Sequence, residues 1–167
     1  SVAPIVQITA APSAGQADSA IRLRKKASKW SGENIWNSSA LSQTLAKKVA
    51  RGRKKSFEIQ VGNDGPATDD YLLTSAPPPP GFTARFLRGS KGGPDISAAV
   101  LGSGYSLAAL PAGASRLVLL EVTASQTAPA GSGGTLFVTA RSASQVNSLD
   151  VVDLVSALAS PLVSNFR

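Results

Sequence analysis

Any chemistry in this chain has to come from its acids, its lysines and arginines, and two tryptophans. The 167 residues include no His and no Cys. The usual general base is therefore missing, as are the imidazole and thiolate ligands of transition-metal sites. Asp64, Asp69, Asp70 and Asp95 offer the oxygen ligands that calcium takes. Asn63-Asp64-Gly65, however, lacks the spaced acids and closing Glu of a calcium loop, so these read as turn acids. Asp150, Asp153 and Glu121 are the other acids to test as a pair. Two acids three apart on a strand point to opposite faces, which does not make an acid/base couple. No Gly-Xaa-Ser-Xaa-Gly elbow and no Walker loop occurs. The expectation is a protein that is not an enzyme, with no catalytic residue, no metal and no cofactor.

The charge is concentrated. The chain carries +7 overall, while residues 18–55 hold eleven basic and two acidic residues and so carry +9. Within that stretch Lys47, Lys48, Arg51, Arg53, Lys54 and Lys55 form a candidate polyanion patch, because clustered cations release counterions from an anionic surface. The competing reading is a solvated sheet edge, which lysines protect from unwanted pairing. Trp30 and Trp36 are candidate aromatic contacts for sugar rings, against the commoner use of Trp to fill a core or interface. The repeated aromatics of a single-strand nucleic-acid binder are absent, so nucleic acid is not an expected partner.

The elements that would position these residues are strands. Phe57, Ile59 and Val61 alternate with Ser56, Glu58 and Gln60, the period of a strand with one buried face. Gly62 to Pro66 reads as a polar turn, and Tyr71 to Ser75 as the returning strand. Ala20–Lys26, Phe82–Leu87, Ile96–Val100, Tyr105–Leu110, Arg116–Thr123 and Thr135–Arg141 are further strand candidates. Leu41–Val49 and Leu149–Ala159 fit strand or helix, and strand is preferred. Pro77-Pro78-Pro79-Pro80-Gly81 reads as a stiff crossover between sheets rather than a ligand for a partner's groove. Eight or nine short strands with regular turns predict an all-β, antiparallel immunoglobulin-like β-sandwich. Expected boundaries are an N-terminal arm and linker over 1–17, the sandwich over 18–160 and a tail over 161–167.

The arm carries Val2, Ile5, Val6 and Ile8 between prolines. Ordering ten residues costs about 1–2 kcal/mol each in backbone entropy. Four buried side chains return about 1.5–3 kcal/mol each. With ladder hydrogen bonds adding about 0.5–1.5 kcal/mol net each, the terms nearly cancel, so the arm should order only against a sheet edge or groove. The start Ser1-Val2-Ala3-Pro4 suggests a chain processed after removal of a leader, and no run has transmembrane length.

Several stretches resemble the immunoglobulin-like modules of large secreted and cell-surface bacterial proteins. They are Lys48-Val49-Ala50-Arg51-Gly52 before the Phe57–Val61 strand, Asn63 to Asp69, Gly81 to Phe86, Asp95 to Val100, Leu110 to Ser115 and Ala128 to Ser132. The resemblance implies a non-enzymatic spacer, adhesive or structural module. Such modules usually recur in tandem, and no internal repeat is found here. The expected function is a secreted, extracellular or cell-surface subunit that assembles with copies of itself into a filament or surface layer. Assembly would proceed by pilus-like addition of the arm strand to a neighbour. The alternative is a monomeric binding module held to polysaccharide or another anionic surface by its basic segment.

Overall fold

The computed structural model describes residues 15–24, 28–145 and 148–158, apart from the side chains of Asp153, Val155 and Leu158. The expected interface arm (Val2, Ile5, Val6, Ile8) and the 161–167 tail lie outside the described residues. Among the described residues nine strands make two sheets. Sheet A has the order β1 (Ala17–Leu23), β3 (Lys54–Asn63), β7 (Ser115–Ala124), β5 (Phe82–Arg88). Sheet B has the order β2 (Thr44–Val49), β9 (Leu149–Leu158), β8 (Gly133–Ser142), β4 (Asp69–Ser75), β6 (Tyr105–Leu110). With β1, β3, β5 and β7 as strands A, B, D and E, and β4, β8 and β9 as C, F and G, this is the immunoglobulin arrangement of sheets. All pairings are antiparallel except that of β2 with β9, which is parallel.

The core follows the alternation read from sequence. Phe57, Ile59 and Val61 of β3 register with Leu120, Val118 and Arg116 of β7. Ile21, Phe57, Ile59, Phe86, Val118 and Leu120 from sheet A are fully buried, as are Leu73, Val152 and Leu154 from sheet B. Within the first ambiguous stretch Thr44–Val49 is strand β2, Leu149–Leu158 of the second is strand β9, and the proline tract connects β4 in one sheet with β5 in the other.

Two local readings need correction. Tyr71–Ser75 does not return beside the Phe57–Val61 strand. It pairs with β8 and β6 in the opposite sheet. The corner is tied by Asn63, whose amide donates to Ala67 O and Leu110 O at 2.8 Å and accepts from Tyr71 Oη at 2.7 Å. Ile96–Val100 is not a strand. Ser97–Val100 forms a single helical turn, α1, with Ile96 and Val100 buried four residues apart as a helix places them.

The sandwich has two distinct ends. Ala17 pairs with Asn63, whose carbonyl accepts from Gly113, and Leu110, Ser142 and Leu149 lie at the same end of sheet B. The chain enters β1 at this end. It leaves β9 at the other, where Ala157 pairs with Gly133 and Lys48.

A buried carboxylate joins the sheets at the entry side. Asp150 on β9 is completely buried. It accepts from the amide of Ser19 on β1 at 2.6 Å, from the Asn37 amide at 3.0 Å, and from Gln43 Nε2 at 2.9 and 3.1 Å. Burial pushes this carboxyl above its ordinary range, while the Asn37, Ser19 and Gln43 donors pull the other way. Gln43 Nε2 also reaches Ile35 O at 2.6 Å. The connection from β1 to β2 is thus pinned to β9 at Asn37 and Gln43. Asp150→Ala should lower the unfolding free energy by about 2–4 kcal/mol, because each buried donor left without an acceptor costs about 1–3 kcal/mol. The check is a lower urea midpoint at unchanged slope.

Candidate functional site

The six cations of the basic stretch lie at the exit end, where the chain passes from sheet B to sheet A. Lys47 and Lys48 sit on β2 opposite Ser156 and Ala157. The turn after them closes with Arg53 N to Ala50 O at 3.0 Å and Gly52 N to Ala124 O at 2.9 Å. Gly52 adopts φ of +65°, a conformation that favours glycine. Two of the six cations are engaged. Arg51 Nε donates to Ala128 O at 2.7 Å, and Lys54 Nζ pairs with Glu121 at 3.2 Å. Lys47, Lys48, Arg53 and Lys55 make no salt bridge among the described residues.

The two tryptophans have different partners. Trp30 is half-buried beneath Arg22, whose guanidinium carbon lies 4.2 Å from the ring centroid. Arg22 in turn pairs with Glu58 at 2.6 Å on the outer face of sheet A. Trp36 donates its Nε1 to Asp64 Oδ2 at 3.2 Å. One Trp30 face is therefore occupied by a cation, a contact worth about 0.5–1 kcal/mol at an exposed site.

The acids are dispersed into local hydrogen bonds. Asp69 accepts from the hydroxyls of Ser142 and Ser144. Asp70 accepts from the Ala109 amide at 2.6 Å. Asp95 pairs with Arg85 at 2.8 Å and accepts from Ser97 N at 2.9 Å. The Arg85 hydrogen bond holds the Asp95 carboxyl down at about 2. Glu121 is nearly buried between Lys54 and Arg85. No group of three or more metal-ligating side chains converges among the described residues.

Asp18 is a residue the pattern reading passes over. Its carboxylate accepts from Asn34 N at 3.0 and 3.2 Å. Burial, then the charges of Asp64, Asp150 and Glu33, push the carboxyl up to about 7 against the pull of the Asn34 amide. The only local signal is an acid at the start of β1.

The outer strands differ sharply in what covers them. In sheet A, β1 is closed by Ser31, which exchanges two bonds with Ile21 at 2.9 and 2.8 Å, and by Asp150 on the Ser19 amide. Strand β5 is closed by Ile96 N to Phe86 O and Arg88 N to Pro94 O, both 2.9 Å, and by Ser97 Oγ on Phe86 N. In sheet B, β2 and β6 each have one strand neighbour, and no second strand flanks either among the described residues. Strand β2 carries Lys47 and Lys48, whereas β6 carries no charged residue. No helix of the described residues is long and apolar enough to cross a membrane.

No protein-family model matches the chain, and no curated protein sequence matches it. Solved structures with a similar fold include an ASH/PapD-like domain of human CEP192, at 11% identity and a TM-score of 0.45 over 96% of both chains. Another is the major pilin subunit of Bacillus cereus, at 10% identity and a TM-score of 0.49 over 87% of this chain and 40% of that one. A third is a family 123 glycoside hydrolase from Clostridium perfringens, at 6% identity and a TM-score of 0.47, of which this chain spans 23%. At these identities the likeness concerns the fold alone.

The Asp18 environment has a measurable consequence. A carboxyl whose folded value lies above the unfolded 3.8 favours the fold while protonated. Its contribution is complete below the unfolded value and is lost as pH rises towards about 7. The raised Asp150 acts in the same direction. Urea midpoints should therefore fall between about pH 4 and pH 7, and Asp18→Asn should flatten that fall.

Proposed function

We propose that the chain is a structural module of an extracellular or cell-surface assembly. Copies join when residues 1–10 add as a strand to an open sheet edge of a neighbour, with Val2, Ile5, Val6 and Ile8 as anchors. The observation that carries this reading is a two-sheet core built from the described residues that leaves strand edges open. Both sheets and a continuous core lie between Ala17 and Leu158, while two strand edges of sheet B remain unflanked among the described residues. An apolar segment preceding a finished sandwich is suited to strand addition, where main-chain bonds supply affinity and alternate side chains supply specificity. Such a joint is heterologous, so it propagates into a filament or layer instead of closing.

A second reading rests on a separate observation. Lys47, Lys48, Arg53 and Lys55 crowd the exit end without an acidic partner among the described residues. They fit attachment to polysaccharide or another anionic surface. Salt separates the two readings, because a charge-held complex is screened whereas paired strands are not.

Deleting residues 1–12 should leave a folded monomer, read by sedimentation and by an unchanged urea midpoint. The intact chain should form salt-resistant polymers visible in negative stain. Polymers from the truncated chain would overturn the arm mechanism, and complexes that dissolve in salt would favour the anionic-surface reading.

A further inference from the structure

We infer that the receiving edge is β6, and that its occupant is residues 5–10 of a second copy; this rests on the strand-addition reading above. The four outer strands are not equivalent. The edges of β1 and β5 are occupied by the Ser31, Asp150, Pro94, Ile96 and Ser97 contacts already described. Strand β2 presents Lys47 and Lys48, the residue type that discourages edge pairing. Strand β6 has neither defence. Its sequence is Tyr-Ser-Leu-Ala-Ala-Leu, uncharged along its whole length.

The surroundings of β6 suit an added strand. A groove runs along Tyr105 to Ala108 and is walled on the sheet A side by Arg88, Gly89, Arg116 and Leu117. Leu117, 40% exposed, registers with Gln60 and so stands on the outer face of sheet A, at the rim of the groove. Arg88 registers with Val118 and Arg116 with Val61, so both stand on the core-facing side of sheet A, where their aliphatic stems line the groove. An occupant strand would set alternate side chains into this groove and the others on the outer face of sheet B.

Residues 5–10, Ile-Val-Gln-Ile-Thr-Ala, match these demands. They are six residues against the six of β6, and no residue from 1 to 14 is charged. Val6, Ile8 and Ala10 alternate with Ile5, Gln7 and Thr9. In this pairing the first set faces the groove beside β6, and Ile5 lies with Gln7 and Thr9 along the outer face of sheet B. Pro4 stands just before this run, where its missing N–H interrupts no ladder.

The chain has no cysteine, so a disulfide can report the pairing. Directly opposed residues on adjacent strands have Cβ atoms about 4.5–5.5 Å apart, close enough to bridge with slight adjustment. Full-length chains carrying Gln7→Cys with Ser106→Cys or with Ala108→Cys are oxidised and run without reductant, beside Gln7→Cys with Ala46→Cys on β2. A ladder of covalent multimers from the β6 variants, and none from the β2 variant, is the expected result. A ladder from the Ala46→Cys variant alone would overturn β6 while leaving strand addition intact. A cross-link within single chains, or no cross-link at either edge, would overturn both.

Discussion

The sandwich depends on one buried carboxylate. Asp150 binds the Ser19 amide of β1, the Asn37 amide of the connecting loop and the Gln43 side chain that precedes β2. The chain must cross from sheet A to sheet B between β1 and β2, and that crossing leaves polar backbone in a place where water is excluded. An unpaired buried amide is costly, so an acceptor has to be brought to it. The carboxylate serves three segments at once, at the expense of being a charge held in a dry place. Its raised pKa is the visible sign of that expense. Asp18, beside it in the same acidic neighbourhood, is perturbed for the same reason.

The same contacts also decide how the molecule meets others. Covering the edge of β1 with Ser31 and Asp150, and that of β5 with the 94–97 segment, leaves sheet A inert at both sides. Sheet B keeps both of its edges, one marked by lysines and one not. On the outer face of sheet A, charged pairs flank the apolar Leu87, Leu117 and Leu119. Arg22 bridges Glu58 and Trp30, and Glu121 bridges Lys54 and Arg85. Among the described residues, the open edge of β6 is the uncharged one.

The sequence shows the strands clearly where one face is buried and the other wet. Phe57, Ile59 and Val61 alternate because sheet A has a core side and a solvent side. Leu136 and Val138 are buried, with Phe137 between them exposed, for the same reason in sheet B. Partner choice was not legible. A polar turn after Val61 looks the same whether the next strand folds back or crosses to the opposite sheet, and the Asn63 side-chain bonds that force the crossing are long-range. Ile96–Val100 reads as a strand and folds as a helical turn, because two apolar residues four apart satisfy both. Asp150 was read only as one of a pair of strand acids. The donors that hold it come from residues more than a hundred positions away, and no local pattern encodes them.

The parallel ladder between β2 and β9 has a mechanical consequence. The chain enters at one end of the sandwich and leaves at the other. Tension along it, once β1 yields, would draw the start of β2 one way and the end of β9 the opposite way. Parallel neighbours loaded like this slide past each other instead of peeling apart rung by rung. The six register pairs from Thr44 and Asp153 to Val49 and Leu158 would then bear the load together, so the strand that breaks the antiparallel rule is also the one placed to resist stretching.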